Sequence, residues 1–246
     1  MSFPMVIQGS EGMQYEHSSA KKHPFGLQMY FLDGRKFEYG QAGAAALAVG
    51  RLMQQAVVTS GHTKDLVVAA AVAAGGTTVT FTNTTTAITA DMYAEGFMFV
   101  NDEAGEGYIY RIKSNLAEST GTGVATIVLE EGSGVRIALT TSSEIGLRKH
   151  LCDEVIVAPT TITGVLAGAT VRAVDKNYYC WLQVKGAANV LTNGTVVRGE
   201  PVTRSVTTAG AVDPYNEDGT GNLMPIGHVE SVSSSTEYSL IDLDIR

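Results

Sequence analysis

Residues 177–202 read NYYCWLQVKGAANVLTNGTVVRGEPV, and this stretch shows most clearly how the chain folds. Every second residue from Tyr178 to Val184 is apolar, as expected of the buried face of an extended strand. The other face begins aromatic, with Tyr179 and Trp181, and becomes polar toward Lys185. The pattern predicts a strand that runs from a packed interior out to solvent. Because Trp181 is the single tryptophan of the chain, we place it in a β-sheet core.

The Asn193-Gly194 pair follows this strand and is a strong turn signal. Both residue types accept positive φ angles at low cost, which the tight turn of a right-twisted hairpin requires. We therefore predict a hairpin that returns through the short run Thr195–Val197. Gly199 and Pro201 then interrupt the chain before the next β-branched run.

The composition favours β structure and argues against one class of partner. The chain has 246 residues, with 17 Lys and Arg against 25 Asp and Glu, which gives a formal net charge of -8. Nucleic-acid binding depends mainly on cationic contacts to phosphates, so this balance predicts no nucleic-acid partner. Charged residues make up 17% of the chain and Gly contributes 27 residues, which favours short strands and many turns.

The segment 64–157 has a β pattern throughout, with turns at glycine-containing positions. Its candidate strands are Asp65–Val72, Thr77–Asn83, Phe97–Asn101, Gly107–Lys113, Val124–Leu129, Val135–Leu139, Glu144–Leu147 and Glu154–Val157. Before this segment, helix-favouring residues over Ala42–Val49 predict a short helix or turn, followed by a strand over Arg51–Val58. A last strand over Tyr238–Ile245 alternates in a way that is typical of an edge or barrel-closing strand.

Ala158-Pro159 marks a boundary between two β modules, since proline interrupts strand pairing and favours an extended connector. We therefore predict an N-terminal arm with a short helix or turn over residues 1–50, a first β module over 51–158 and a second over 159–246. The expected fold class is mainly β, with two small antiparallel β-barrel or sandwich modules preceded by an extended N-terminal arm.

The predicted arm carries many Met and aromatic side chains without a sustained strand or helix period. These residues include Phe3, Met5, Met13, Tyr15, Phe25, Met29, Tyr30 and Phe31. A segment without such a period cannot bury them against itself. It either runs across its own domain or lies on a neighbouring subunit, where Met and aromatic residues adapt to irregular surfaces. We take the second alternative as our hypothesis and predict that these residues form a subunit interface.

No motif in the sequence predicts catalysis, a cofactor or a metal site, so we expect the chain not to be an enzyme. Cys152 and Cys180 form neither a CxxC motif nor a disulfide framework, which favours reduced thiols and leaves a single bridge as the alternative. Side chains as close in sequence as His150, Cys152 and Asp153 do not generally converge on one carbonyl as a catalytic trio. The acidic loop 213–222 has the composition of a calcium loop, but prolines occupy positions where carboxylates are required.

Targeting signals are not found in the sequence. The N-terminus, MSFPMVIQGSEGMQYEH, lacks the basic and apolar regions of a secretory signal. The longest apolar candidate, Leu66–Ala74, is too short to span a bilayer. We therefore expect no membrane partner.

Six stretches carry a resemblance to a known family. They are DGRKFEYGQAGA (Asp33–Ala44), GEGYIYRIK (Gly105–Lys113), VRIALTTSS (Val135–Ser143), NYYCWLQVKG (Asn177–Gly186), GTVVRGEPV (Gly194–Val202) and EYSLIDL (Glu237–Leu243). Through them the whole chain resembles the capsid decoration proteins of tailed bacteriophages, which are also called cement or head-stabilising proteins. The second module in particular is similar to their small β-barrel.

The resemblance implies an abundant structural protein on the capsid surface of a virion, assembled in the host cytoplasm. Such a protein binds the major capsid protein, stabilises contacts between neighbouring capsid subunits and often forms a trimer. The expected partners are therefore the major capsid protein and further copies of this chain, with a homotrimer as the expected state. The eight Met and aromatic residues of the arm are the candidate interface.

A virion-surface adhesion module that binds host glycans is the alternative function. Its candidate contacts are Tyr179, Trp181 and Tyr215, of which the first two would form a platform for a sugar ring. A lone tryptophan beside the apolar face of a strand is more often a core residue, which favours the structural role.

Overall fold

The computed structural model describes residues 6–216 and 223–246, and within these ranges the chain is almost entirely β. The strands are β1 (Val6–Gln8), β2 (His17–Ser18), β3 (Gln28–Tyr30), β4 (Lys36–Gln41), β5 (Leu52–Gln54), β6 (Leu66–Val67), β7 (Thr78–Thr82), β8 (Phe97–Asp102), β9 (Ile109–Asn115), β10 (Val124–Leu129), β11 (Glu144–Arg148), β12 (Ile156–Val157), β13 (Leu166–Thr170), β14 (Tyr179–Leu191), β15 (Pro201–Arg204), β16 (Val212–Pro214), β17 (Gly227–Ser231) and β18 (Tyr238–Asp244). The helical element of these residues is a single 3-10 turn over Met13–Tyr15. None of the described helices has the length and apolar character needed to cross a membrane. The expected mainly β fold is confirmed.

Two compact units make up the chain, and the sequence of one interrupts the sequence of the other. Unit 1 contains the residues up to Ala56 together with Leu151–Arg246, and unit 2 contains Val57–His150. The interruption falls between β5 and β12, two strands of unit 1 that pair with each other in antiparallel register.

This division differs from the predicted one into residues 1–50, 51–158 and 159–246. The described part of the predicted arm is not separate, because its strands join the sheet that the C-terminal part of the chain forms. β4 pairs with β14 in a register that sets Tyr39 opposite Trp181. The N-terminal strands thus belong to the same compact unit as the predicted second module.

Unit 1 contains a twelve-stranded sheet whose main path runs in the order β1-β3-β4-β14-β18-β17-β15-β16. β2, β5, β12 and β13 join this path at the side, where β13 pairs with both β14 and β5. β1 and β3 are parallel, and the other strand pairs described in this sheet are antiparallel. β14 pairs with β4 over Tyr179–Lys185 and with β18 over Lys185–Leu191, so it connects the two halves of the sheet.

Trp181 lies in the core of unit 1, as predicted, with 2% of its surface exposed. Its ring meets that of Tyr39 edge-on, with 5.1 Å between centroids, in a cluster that also contains Met29 and Phe37. On the opposite face of β14, Leu182 packs into a second apolar cluster. Because this part of the strand is covered on both faces, residues 180–184 are all buried.

Unit 2 contains six strands in the order β6-β11-β8-β9-β10-β7, all paired in antiparallel fashion. The two ends of this order meet, since Val68 bridges Phe81 and the amide of Ala69 donates to the Thr80 carbonyl at 2.8 Å. The interior is filled by buried apolar side chains, including those of Phe81, Met98, Ile112, Ile127 and Ile145. The sheet is therefore a nearly closed barrel, which confirms the β-barrel expectation in coarse form.

Most of the strands predicted for residues 64–157 are present. β7 to β11 each overlap a predicted strand, and β10 has the predicted bounds. The exception is Val135–Leu139, where Leu139 makes an isolated bridge to Val72 instead of a strand. Val135 and Leu139 are buried but Ile137 between them is 47% exposed, so the apolar alternation does not form one buried strand face.

The predicted Asn193-Gly194 hairpin is wrong, although Gly194 does adopt a positive φ of 79°. β14 continues as far as Leu191 and pairs there with Tyr238, which lies far along the sequence. The described residues Thr195–Val197 form no strand. Turn chemistry is local, whereas the pairing of β14 is decided by the apolar faces of distant strands.

Of the predicted short helix or turn over Ala42–Val49, the helix is not formed, and the segment has bends and ends in a turn at Val49 and Gly50. Ala42 bridges Val155 and Leu47 bridges Val174, both as isolated β-bridges. The alanine-rich composition favours a helix only weakly, so contacts with distant parts of the chain override it.

Candidate functional site

Three residues predicted for a subunit interface lie instead in the core of unit 1. Met29 is fully buried, and Phe25 and Phe31 are each 8% exposed. Met29 and Phe31 belong to the cluster around Trp181, and the ring of Phe25 stacks on that of Tyr179 with 6.1 Å between centroids. The prediction is wrong at these positions because the residues that bury them are distant in sequence. These three side chains are not available to a partner.

The other predicted interface residues have different positions. Tyr15 and Tyr30 are exposed, at 50% and 40% respectively. Met13 is partly buried and packs against the cluster around Trp181. Phe3 and Met5 lie outside the described residues.

Exposed apolar side chains gather at one edge of the unit 1 sheet. β1 is the first strand of the sheet path and pairs with β3, in a register that sets Gln8 beside Tyr30. Val6 is 49% exposed, and Leu32, just after β3, is 94% exposed. We call the side chains of Val6, Tyr30 and Leu32 together with the β1 backbone the β1 edge. It combines exposed apolar surface with a strand that, among the described strands, is paired on one side.

A recess of about 530 Å³ lies beside Leu32 and is lined by Phe31 and Asp33 among others. Asp33 accepts a hydrogen bond from Arg35 Nε at 2.7 Å, and Arg35 also pairs with Glu11. The backbone amide of Arg35, followed by its guanidinium group, lowers the pKa of Asp33. The rim of the recess is therefore polar and ion-paired, next to an apolar knob at Leu32.

A second concave surface of unit 1 is a cleft of about 310 Å³ lined by Tyr15 and Tyr238. Tyr238 is 37% exposed, so both rings are accessible. Gln183, Ala187 and Asn189 of β14 also line the cleft. We call this surface the tyrosine cleft.

A largely buried ion pair joins Glu38 of β4 to Arg246. Glu38 Oε2 accepts hydrogen bonds from Arg246 Nε at 3.1 Å and from Nη2 at 2.5 Å. The same guanidinium donates to the carbonyls of Leu166 and Ala167, each at 2.8 Å. The Cys152 thiol donates to Glu38 Oε2 at 3.6 Å. The pair thus ties β4 to β13 inside unit 1.

Cys152 and Cys180 are buried, and within the described part of the chain neither forms a disulfide. Desolvation raises the pKa of Cys152 to about 12, and it raises the pKa of Cys180 to about 12 as well. The thiolate is the nucleophilic form of cysteine, so neither side chain is prepared for attack at neutral pH. This environment gives no support to a catalytic trio built on Cys152.

The described residues also contain no group of three or more His, Cys, Asp or Glu side chains that could hold a metal ion. The acidic loop 213–222 is described only up to residue 216, and its remainder lies outside the described residues. The calcium-loop composition of this segment therefore stays a sequence observation.

A buried carboxylate, Glu118, organises a loop of unit 2. It accepts hydrogen bonds from the amides of Thr120 and Gly121 at 2.8 and 2.9 Å, and from Asn83 Nδ2 at 2.8 Å. The Thr120 hydroxyl also donates to it. That hydroxyl and the other donors lower the pKa of Glu118 to about 2, because they stabilise the charged form. The carboxylate holds the loop after it against the residues that follow β7.

The sugar platform predicted at Tyr179 and Trp181 is not accessible as predicted. The ring of Trp181 is buried, and that of Tyr179 stacks on Tyr39 with 6.0 Å between centroids. Tyr215 is half-buried and follows β16. A sugar cannot stack on a tryptophan face that protein atoms already cover.

Sequence reasoning missed the tyrosine cleft. Tyr15 is a predicted interface residue and Tyr238 a predicted strand residue, but the sequence predicts no site role for Gln183 or Asn189. The alternation of β14 and β18 carries a usable signal, because it places Asn189 and Tyr238 on polar faces of their strands. The register that brings them to one surface is not encoded in that alternation.

Comparisons with protein-family models, with curated proteins and with solved structures find no match to this chain. The function must therefore be argued from the residues and the geometry of the chain itself.

Proposed function

We propose that this chain is a structural protein of a tailed-phage virion, which binds the outer surface of the capsid and stabilises contacts between major capsid subunits. The proposal rests on the family resemblance of the sequence and on the surface of unit 1. The resembling stretches Asp33–Ala44, Asn177–Gly186 and Glu237–Leu243 are far apart in sequence. They nevertheless contribute β4, β14 and β18, which are neighbours in one sheet.

The β1 edge is the observation that carries the proposal. Leu32 is 94% exposed, and a leucine side chain gains about 1.5–3 kcal/mol when it is moved from water into an apolar contact. The recess beside it offers a complementary shape to a knob on a partner. An edge strand also provides backbone donors and acceptors for pairing with an extended segment of another chain. Together these features fit a contact with a neighbouring protein subunit.

Further copies of this chain are the second proposed partner, with a trimer as the expected state. In a closed trimer the same surface is presented three times around one axis. When a trimer binds a capsid lattice, the first contact raises the effective concentration of the other two, so three individually weak contacts together bind tightly. Sedimentation velocity of the purified chain measures whether the trimer forms before it reaches the capsid.

Adhesion to host glycans through Tyr179, Trp181 and Tyr215 receives less support, because Trp181 is 2% exposed. Stacking on its ring would require the surrounding cluster to open, which costs more free energy than one sugar contact returns.

Binding to particles that lack this chain tests the proposal. Purified chain is mixed with such particles, the particles are pelleted, and the bound copies are counted on gels. We expect saturable binding, and we expect Leu32→Asp to weaken it by about tenfold or more, since a carboxylate would be desolvated at the contact.

Val197→Asp is the matched control, because Val197 is 58% exposed in unit 1 but is not part of the β1 edge. This variant should bind as the unchanged chain does. A chain that never pellets with the particles contradicts the proposed function. Equal saturable binding by both variants would agree with the proposed function but would exclude the β1 edge as the contact surface.

A further inference from the structure

The tyrosine cleft has a lining that suits a small neutral ligand. We propose that it binds one pyranose residue of a neutral glycan. This inference does not rest on capsid binding, since the cleft is lined by different residues from those of the β1 edge.

The two tyrosine rings supply the apolar contact. An aromatic ring has a negative face, which attracts the weakly positive C–H bonds on the flat side of a sugar ring. Tyr15 lies in the 3-10 turn, where its carbonyl accepts a hydrogen bond from Arg172 Nη1 at 2.6 Å. Tyr238 is held by β18, and a Cβ added to Gly50 would lie 2.6 Å from its ring. The backbone of Tyr15 and the ring of Tyr238 are therefore held in place before a ligand arrives, which lowers the entropy cost of binding.

Gln183 supplies a fixed acceptor. Its side chain is 2% exposed, and its Nε2 is shared among the carbonyls of Lys185, Gly186 and Ala187 at 3.2, 3.2 and 2.9 Å. These contacts fix the orientation of the amide. Among the described residues no donor reaches its Oε1, which is left for a hydroxyl group in the cleft.

Asn189 supplies a second amide, and this one is exposed at the cleft surface. An amide offers two donors and an acceptor, which matches adjacent sugar hydroxyls that each donate and accept. Next to it, the small side chain of Ala187 leaves the floor of the cleft open. Polar groups beside an apolar wall are the composition that ligand sites share.

The charge of the lining favours a neutral ligand. Among the described residues that line the cleft, Arg35 is the charged one, and it is paired with Glu11 and Asp33. An ionic ligand would lose hydration without gaining an unpaired partner, which is unfavourable. A neutral pyranose meets no such cost.

Saturation-transfer difference NMR of the full chain with methyl glycosides of glucose, galactose, mannose and N-acetylglucosamine tests the proposal. We expect at least one glycoside to bind with a millimolar Kd. Tyr238→Ala should weaken that binding by about tenfold, and Asn189→Ala should weaken it by several-fold. Tyr108→Ala, which removes a tyrosine that is 41% exposed in unit 2, should leave it unchanged.

Ala187→Leu is a second variant that fills the floor of the cleft without removing a ring, and it should abolish binding while circular dichroism stays unchanged. Three results would overturn the proposal: no glycoside binding at millimolar concentration, equal binding by all variants, or a self-association that Tyr15→Ala abolishes. The last result would identify the cleft as an interface between copies of the chain. None of these outcomes bears on pelleting with capsids, so the two proposals fail independently.

Discussion

Arg246 contacts the carboxylate of Glu38 through two of its guanidinium nitrogens, although Glu38 belongs to β4 near the other end of the sequence. The Glu38 side chain is 9% exposed and that of Arg246 is 26% exposed. Such a pair contributes little if both charges can be hydrated, but a buried carboxylate left without its partner is strongly unfavourable. The contact therefore makes the folding of unit 1 sensitive to a residue outside every strand.

Arg246→Ala should destabilise unit 1 by roughly 3 kcal/mol, because it leaves the Glu38 carboxylate buried without its main partner. Urea unfolding followed by circular dichroism measures this loss. Lys185→Ala is the control, since Lys185 pairs with Asp244 at 3.0 Å but both side chains are more than half exposed. Its effect should stay below about 1 kcal/mol. Equal losses in the two variants would mean that solvent screens the Glu38 pair.

Trp181→Ala should destabilise unit 1 by roughly 3–5 kcal/mol, the range for a large buried aromatic side chain. The indole of Trp181 is 2% exposed and packs against Tyr39, so its fluorescence in the native chain should be blue-shifted and protected from soluble quenchers. Emission like that of free tryptophan, readily quenched by acrylamide, would contradict the burial of the Trp181 side chain.

Two neighbouring residues of β3 test whether the N-terminal segment is part of the core of unit 1. Met29→Ala should cost about 2–5 kcal/mol, because the side chain is fully buried against the Trp181 cluster. Tyr30→Ala, one residue along and on the opposite face, should cost less than about 1 kcal/mol, since Tyr30 is 40% exposed. Thermal unfolding of the two variants distinguishes them. Similar small losses would show that the segment is an arm that its own unit does not need.

Protonation of Glu118 at acidic pH should lower the stability of unit 2. The pKa of this carboxyl is lowered from 4.5 to about 2 in the folded chain, so the charged form stabilises the native state above about pH 4.5. That contribution is lost as the pH falls from about 4.5 toward 2. We expect the melting temperature of unit 2 to fall across this window, as measured by calorimetry.

Glu118→Gln should lower the melting temperature near neutral pH and flatten its dependence on pH in the same window. Glu131→Gln is the control, because Glu131 has an exposed side chain and pairs with Lys113 at the surface. It should keep the acid sensitivity of the unchanged chain. If both variants keep that sensitivity, the hydrogen bonds to Glu118 do not control the acid response.

Alternation along single strands was readable from the sequence, and pairing between strands was not. The period of two at Tyr178–Val184 predicts the buried faces of β14, and the strand predicted over Val124–Leu129 has the observed bounds of β10. Both signals depend only on neighbouring residues. The partner of Leu191 is Tyr238, and nothing local to Asn193-Gly194 specifies that contact.

Because strand pairing is not readable from local sequence, the N-terminal segment was wrongly predicted to be a separate arm. Met29 and Phe31 show no period that could bury them locally, yet β4 and β14 provide the surface that covers them. Tyr15 and Tyr30 were predicted from the same Met- and aromatic-rich composition, and these two side chains are exposed. Only the register of distant strands separates buried from exposed residues in such a segment.

The pairing of β5 with β12 sets Gln54 opposite Ile156, so the chain departs from unit 1 and rejoins it at adjacent positions. An insert whose ends are this close can be lengthened, replaced or deleted without altering the register of the sheet that carries it. Evolution can therefore change Val57–His150 and the surrounding scaffold at different rates. Exchange of the whole segment Val57–His150 would therefore leave the pairing of β5 with β12 intact.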